Sequence, residues 1–286
     1  MAYLGPVIEA AKTGFQIRPG DTINEEGLVV CGQCGQLRQT KLNIRFNEDA
    51  APIIVPCTCQ CDVEIVEKEK EEKRLAEEKA ALSALRAESL IAPKFKEAVF
   101  ENFEVTDFNE LNYRLIKRYA TGFDDMFEKN QGLLMWGDNG TGKSFAAGCI
   151  ANYLLDKGVP VVMTTITQLT EMIMRNVMTE SQIISKLNRA KLVIFDEFGA
   201  ERDTDYAIER AYTLIDSRYR NKLPMIITTN LTQDELLNEE ESSKHKRVYD
   251  RILENCYPMH FKGRSWRRYK AKKRFDEMEA LLNETK

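Results

Sequence analysis

Gly137-Asp138-Asn139-Gly140-Thr141-Gly142-Lys143-Ser144 fits the pattern G-x-x-x-x-G-K-[ST], and no other stretch constrains the fold as tightly. Glycines in such a loop let successive backbone N–H groups turn inward onto phosphate oxygens. The helix that follows points its positive N-terminal end at the same anion. The loop therefore works only between a strand and a helix, and both are predicted. The apolar run Gly132-Leu133-Leu134-Met135-Trp136 precedes it, and a Pro-free stretch broken only at Gly148 follows. A glycine turn that binds nothing is the bland alternative, and this context speaks against it. Lys143 is expected to reach the β- and γ-phosphates of ATP, and Ser144 to ligate Mg²⁺.

Three further short apolar runs follow the same rule: Val159-Pro160-Val161-Val162-Met163, Leu192-Val193-Ile194-Phe195 and Met225-Ile226-Ile227-Thr228-Thr229. Helical stretches separate them. Continuous apolar strands alternating with helices imply an α/β fold with a parallel sheet covered on both faces. The run from Lys191 ends in Asp196-Glu197, which places two carboxylates at the edge where open α/β sheets bind ligands. Asp196 is expected to hold Mg²⁺ through water, and Glu197 to polarise the attacking water as general base. The last run ends at Asn230, which can orient the same water or simply serve as a turn or helix-cap residue.

Composition bounds what surrounds this core. A net charge of -4 and a pI near 5.6 exclude a chain whose whole surface binds nucleic acid or anionic membrane. No run is long and apolar enough to span a membrane, and the first thirty residues lack a basic region followed by an apolar block. A cytoplasmic location is expected. Five of the seven cysteines, Cys31, Cys34, Cys57, Cys59 and Cys61, fall in one early window, which in a reducing compartment points to a metal. Cys31-Gly32-Gln33-Cys34 has the spacing of a zinc knuckle. Its counterpart is expected to be Cys57 and Cys59 with Cys61 spare, although Cys61 could replace either. Four thiolates around Zn²⁺ would staple small hairpins that lack a core. From Glu64 to Leu90 the chain is mainly Glu, Lys, Arg, Ala and Leu, which predicts a solvated helix ended by Pro93. Three regions follow: a zinc-binding module over 1–63, a charged helical linker over 64–92, and an ATPase domain over 93–286.

The order of P-loop, Asp-Glu strand end, Thr-Thr-Asn strand end and arginine-bearing helix resembles the AAA+ ATPases. Within them it is similar to the DnaC/DnaI helicase loaders, with IstB-like transposition ATPases as close cousins. Phe100-Glu101-Asn102-Phe103, Val193 through Gly199, Arg247-Val248-Tyr249-Asp250-Arg251, and Phe261 through Arg267 carry the likeness, which covers roughly residues 93 to 270. The resemblance implies that Asn230 senses the γ-phosphate and that Arg267 touches the phosphates of its own nucleotide. It implies a closing strand within 261–267, and Arg251 as the finger that enters a neighbour's site. Arg247 lies four residues earlier, on the same helix face, and sequence does not separate the two.

Lys262, Arg264, Arg267, Arg268, Lys270, Lys272, Lys273 and Arg274 form a basic run with Trp266, Tyr269 and Phe275 among them. Such interleaving suits single-stranded DNA, or a solvated terminal helix. The expected function is an ATP-hydrolysing loader that self-associates into a ring or spiral and grips a replicative helicase and single-stranded DNA. An IstB-like transposition helper and a nucleotide-binding adapter without turnover are the alternatives.

Overall fold

Strands that are apolar at every position need cover on both faces, and the sheet they form here has it. A computed structural model describes residues 15–42, 52–200, 205–237 and 243–283. It divides into two units, 1–80 and 81–286. Residues 1–14 and 43–51 of the expected 1–63 module lie outside the described residues.

The first unit holds two antiparallel hairpins. β1 (Thr22–Ile23) pairs with β2 (Val29–Val30), and β3 (Gln39–Leu42) with β4 (Ile53–Pro56). Helix α1 (Gln60–Glu88) begins directly after them. It stops short of Pro93, because Leu90 already turns the chain left-handed at φ 57°.

The second unit contains a five-stranded parallel sheet of β5 (Gly132–Trp136), β6 (Val161–Thr164), β7 (Leu192–Phe198), β8 (Met225–Thr229) and β9 (Cys256–His260), in the order β6-β7-β8-β5-β9. The closing strand is thus Cys256–His260 and not within 261–267. Its pattern, CYPMH with Tyr257 and Pro258 exposed, has no continuous apolar run. As an edge strand it tolerates a proline that a central strand would not. At the opposite edge, the Met163 N–H of β6 donates to Ser89 O at 2.9 Å.

One face of the sheet is covered by α2 (Glu110–Thr121), α3 (Phe123–Glu128) and α4 (Lys143–Asp156), together with the 93–103 segment. Gly148 does not break α4. A Cβ there would lie 2.8 Å from that of Ala98, so the glycine admits the 93–103 segment against the helix. The other face is covered by α5 (Ile166–Met174), α6 (Glu180–Arg189), α7 (Asp205–Arg220) and α9 (Ser243–Asn255), with the one-turn helix α8 (Gln233–Leu237) between the last two. Thr179 and Gln182 form a reciprocal capping box at the start of α6.

The fully buried Arg218 donates to the carbonyls of Leu187, Ala190, Lys191 and Pro224 at 2.7–3.1 Å, closing the C-terminal end of α6. Burial pushes its guanidinium down to about 9. Each carbonyl left orphaned without it would cost about 1–3 kcal/mol.

Candidate functional site

The end of β5 delivers the chain into the glycine loop, and the loop delivers it into α4. Two glycines there have steric reasons. At Gly137, φ 130°, a Cβ would stand 2.5 Å from Phe261 O. At Gly140, φ 82°, it would stand 2.3 Å from Ser265 Oγ. The loop is therefore clasped by the chain leaving β9, and the Trp266 N–H, at the start of α10 (Trp266–Asn283), donates to Gly140 O at 2.8 Å.

A cleft of about 280 Å³ opens over this loop. Asn139, Gly140, Thr141, Gly142, Lys143 and Ser144 line it, and so do Glu197, Asn230 and Arg267. The expected phosphate, water and sensor residues therefore converge on one space. Gly137 is buried and Asp138 exposed, neither lining the cleft, and the Asp138 carbonyl accepts from Lys143. Lys143 Nζ donates to Gly137 O at 2.6 Å and to Asp138 O at 2.7 Å. Burial, with a smaller push from Arg267, lowers its ammonium to about 8. Arg267 Nη2 stands 3.9 Å from Glu197 Oε1.

The two carboxylates sit on an irregularity. The register of β7 against β8 shifts between Phe195 and Phe198, and Glu197 takes φ 56°. Asp196 is buried, with its Oδ1 accepting the Thr228 hydroxyl at 2.6 Å. The oxygen donors of Ser144 and Asp196 suit a hard cation such as Mg²⁺.

The far wall of the cleft is made by Lys94, Phe95, Asn102, Phe103 and Asn109 with Phe145. Periodicity gives no sign of this wall; the Phe100-Glu101-Asn102-Phe103 segment was its only signal in the sequence. The basic run is split in use. Trp266, Arg267 and Lys270 line the cleft. The Arg264 guanidinium stacks over Tyr269 at 3.9 Å and Trp266 at 4.8 Å. Arg268, Lys272, Lys273 and Arg274 are exposed.

Arg251 lies outside the cleft and is engaged within its own chain. Its Nε is 3.1 Å from Asp216 Oδ1, and its guanidinium lies 4.5 Å over the Tyr219 ring. Arg247, one turn earlier on α9, is exposed.

In the first unit the sulfurs of Cys31, Cys34, Cys59 and Cys61 lie within 4.8 Å of one another. This differs from the expected set at one position: Cys61 stands where Cys57 was expected. Cys57 still belongs to the β3–β4 hairpin, where its backbone N–H bonds Arg38 O at 2.9 Å and its thiol donates to Leu37 O at 3.2 Å. Cys59 and Cys61 flank the first residue of α1, so the turn into the helix brings both sulfurs to the knuckle. Tetrahedral Zn²⁺ at about 2.3 Å from sulfur requires sulfurs about 3.8 Å apart, which this group meets with a small contraction. The N–H of Gln36 is the largest influence lowering the Cys34 thiol, to about 7, toward the thiolate a metal needs. Beside the cluster, buried Arg38 bridges Asp21 at 2.5 Å and Asp62 at 3.4 Å.

Fold and cleft together define a P-loop nucleotide-binding protein of the AAA+ kind. The chain belongs to the family described as IstB-like ATP binding protein, whose profile matches residues 58–274. It is similar to the replicative helicase loader DnaI of Bacillus subtilis (strain 168), 24% identical over 68% of this chain and 66% of the relative. It is also similar to the replicative helicase loader DnaC of Escherichia coli (strain K12), 28% identical over 57% of this chain and 65% of the relative. Each match spans just under two thirds of the relative's length. The crystal structures of DnaI and of the DnaC helicase loader share the fold, each with a TM-score of 0.53. They cover 63% and 60% of this chain at 21% and 20% identity, and 98% and 100% of their own chains. Among the described residues no helix is long and apolar enough to cross a membrane.

Proposed function

We propose that this chain is an ATP-hydrolysing loader of a replicative helicase, acting in the cytoplasm. The convergence of the glycine loop, Glu197, Asn230 and Arg267 on one cleft carries the ATPase part of that reading. The helicase-loader names of its relatives carry the partner.

In this mechanism the loop amides and Lys143 hold the phosphates, so Lys143 must first leave the carbonyls of Gly137 and Asp138. Ser144 and Asp196 would hold Mg²⁺, whose charge offsets that of the phosphates. Glu197 takes the proton of the attacking water at its carboxylate. Asn230 orients that water, and Arg267 lies against the phosphates. A further cation on the transferring group comes from a neighbouring subunit in a ring or spiral. The pairing of Arg251 with Asp216 favours Arg247 for that role, in place of Arg251. Exposed Arg268, Lys272, Lys273 and Arg274 supply contacts to single-stranded DNA. Cys31, Cys34, Cys59 and Cys61 hold Zn²⁺, which staples the hairpins of the first unit.

Glu197→Gln separates binding from hydrolysis. The carboxamide cannot take the proton, so ATP should still bind while turnover falls by about 10²- to 10⁴-fold. Normal turnover in that variant would remove Glu197 from the role. Capture with the variant locked on ATP should retain a hexameric helicase. Retention of a transposase instead would favour the transposition-helper reading, which the IstB-like family match keeps in view.

A further inference from the structure

Among the non-glycine residues lining the cleft, Glu197 is the one with a positive φ, and a single side chain from the neighbouring strand holds both it and Asp196. Glu197 is not glycine, yet it adopts φ 56°, a left-handed conformation that a side chain with a Cβ resists. It lies where β7 slips its register against β8, between Phe195 and Phe198. A bulge of this kind re-aims a side chain, and Glu197 accordingly lines the cleft while Leu192 through Asp196 before it are buried.

Thr228 spans the irregularity. Its hydroxyl oxygen accepts the Glu197 N–H at 3.0 Å, and its proton goes to Asp196 Oδ1 at 2.6 Å. The hydroxyl thus uses its donor and one lone pair, and the side chain is 1% exposed. Thr229 then re-closes the ladder, its hydroxyl donating to Phe198 O at 2.7 Å. One buried hydroxyl therefore fixes which oxygen Asp196 presents inward and pins the amide of the strained Glu197. Both carboxylates needed for hydrolysis depend on that single group. Serine is the only other residue that offers the same donor and acceptor at the same distance from the backbone.

We infer that Thr228 is a positioning residue for ATP hydrolysis: it orients Asp196 toward the bound cation and holds Glu197 in the left-handed bulge that aims it at the attacking water. This rests on the proposed ATPase reading. Its role is distinct from that of a core threonine, because what it determines is the direction of two charged groups.

The experiment uses the full chain with Thr228→Val, which keeps the branched shape and removes the hydroxyl, and Thr228→Ser, which keeps the hydroxyl. Four quantities are read: kcat, KM for ATP, affinity for a fluorescent ATP analogue, and the Mg²⁺ concentration for half-maximal rate. Thr228→Val should lose about 10- to 100-fold in kcat, bind the analogue within about threefold of wild type, and need several-fold more Mg²⁺. Thr228→Ser should recover kcat to within about threefold of wild type. Wild-type kcat and Mg²⁺ dependence in Thr228→Val would overturn the inference. So would a loss in Thr228→Val that Thr228→Ser shares to the same extent. If Thr228→Val does not fold, Thr228→Ala is measured against the same expectations. If wild type itself does not hydrolyse ATP, the ATPase reading fails, and the Mg²⁺ dependence of analogue binding decides about Thr228. Weakened dependence in Thr228→Val supports its hold on Asp196, and unchanged dependence ends it.

Discussion

Lys143 carries a pH-sensitive charge in the nucleotide cleft. Its ammonium is lowered to about 8, chiefly because α4 and the glycine loop bury it. A bound polyphosphate favours the charged form and raises that value. Below about pH 8 the lysine is already protonated and binding is indifferent to pH through this group. Above it, binding must take up a proton, and affinity for ATP should fall by up to about tenfold per pH unit. Titrations from pH 7 to 9.5, with calorimetry in buffers of different ionisation enthalpy, should show weakening together with proton uptake. A flat profile to pH 9.5 would mean that Lys143 is charged throughout. At this scale the sequence is legible wherever chemistry demands a fixed spacing: residues 139–144 of the glycine loop and Glu197 share one cleft. It is less legible where a turn decides which side chains meet. Cys57, Cys59 and Cys61 alternate evenly along the chain, and only the start of α1 at Gln60 takes Cys61 to the cluster and leaves Cys57 on Leu37 O. Thr228 belongs to the Thr-Thr-Asn strand end that the sequence displays, but its proposed role is not legible there, because it exists only across the register shift of two strands far apart in sequence.

Helix α9 presents its two arginines differently, and under the proposed mechanism this gives them different roles. Arg251 is drawn onto Asp216, which also pairs with Arg220, and its guanidinium is stacked on Tyr219. An arginine so engaged must give up a buried carboxylate before reaching a neighbour. Exposed Arg247 has no such ion pair among the described residues. Arg247→Ala should keep ATP affinity and thermal stability and lose about 10³- to 10⁵-fold in hydrolysis. Mixing it with Lys143→Ala protein should restore part of the activity, since an intact cleft then meets an intact arginine. Arg251→Ala should instead lower the melting temperature, because buried Asp216 then keeps only Arg220 of its two arginine partners. Full turnover in Arg247→Ala, with a folded but inactive Arg251→Ala, would return the finger to Arg251. Four strands were legible as apolar runs because the interior of a parallel sheet demands them. β9 was not, since one side of an edge strand carries Tyr257 and Pro258 into solvent. α1 ends at Glu88, within the Glu64–Leu90 stretch but ahead of Pro93, because the left-handed turn at Leu90 acts before the proline.

The whole molecule is two units that hold themselves together in different ways. Residues 81–286 have a two-sided core about a parallel sheet, built from some forty buried apolar side chains. Among the described residues of the first unit only Leu28, Val29, Cys31 and Cys59 are buried apolar residues. Four such side chains fall far short of the entropy lost on ordering two hairpins, at roughly 1–2 kcal/mol per residue. Four thiolates holding Zn²⁺, as proposed, would supply what the core lacks, since binding free energy of about 10–16 kcal/mol in small zinc modules is folding free energy. The Asp21–Arg38–Asp62 pairing cannot substitute for it, because buried ion pairs give little net stability after desolvation. Purified protein should therefore contain about one zinc per chain, and a chelator should act on one unit only. Hydrogen exchange after metal removal should show lost protection at the β1–β2 and β3–β4 hairpins, with α4 and β7 unchanged and the ATP analogue still bound. Cys61→Ser should release the metal and Cys57→Ser should retain it. Full zinc in Cys61→Ser with loss in Cys57→Ser would reassign the fourth ligand. Protection that survives chelation, in protein shown to be metal-free, would mean that the hairpins stand without a staple.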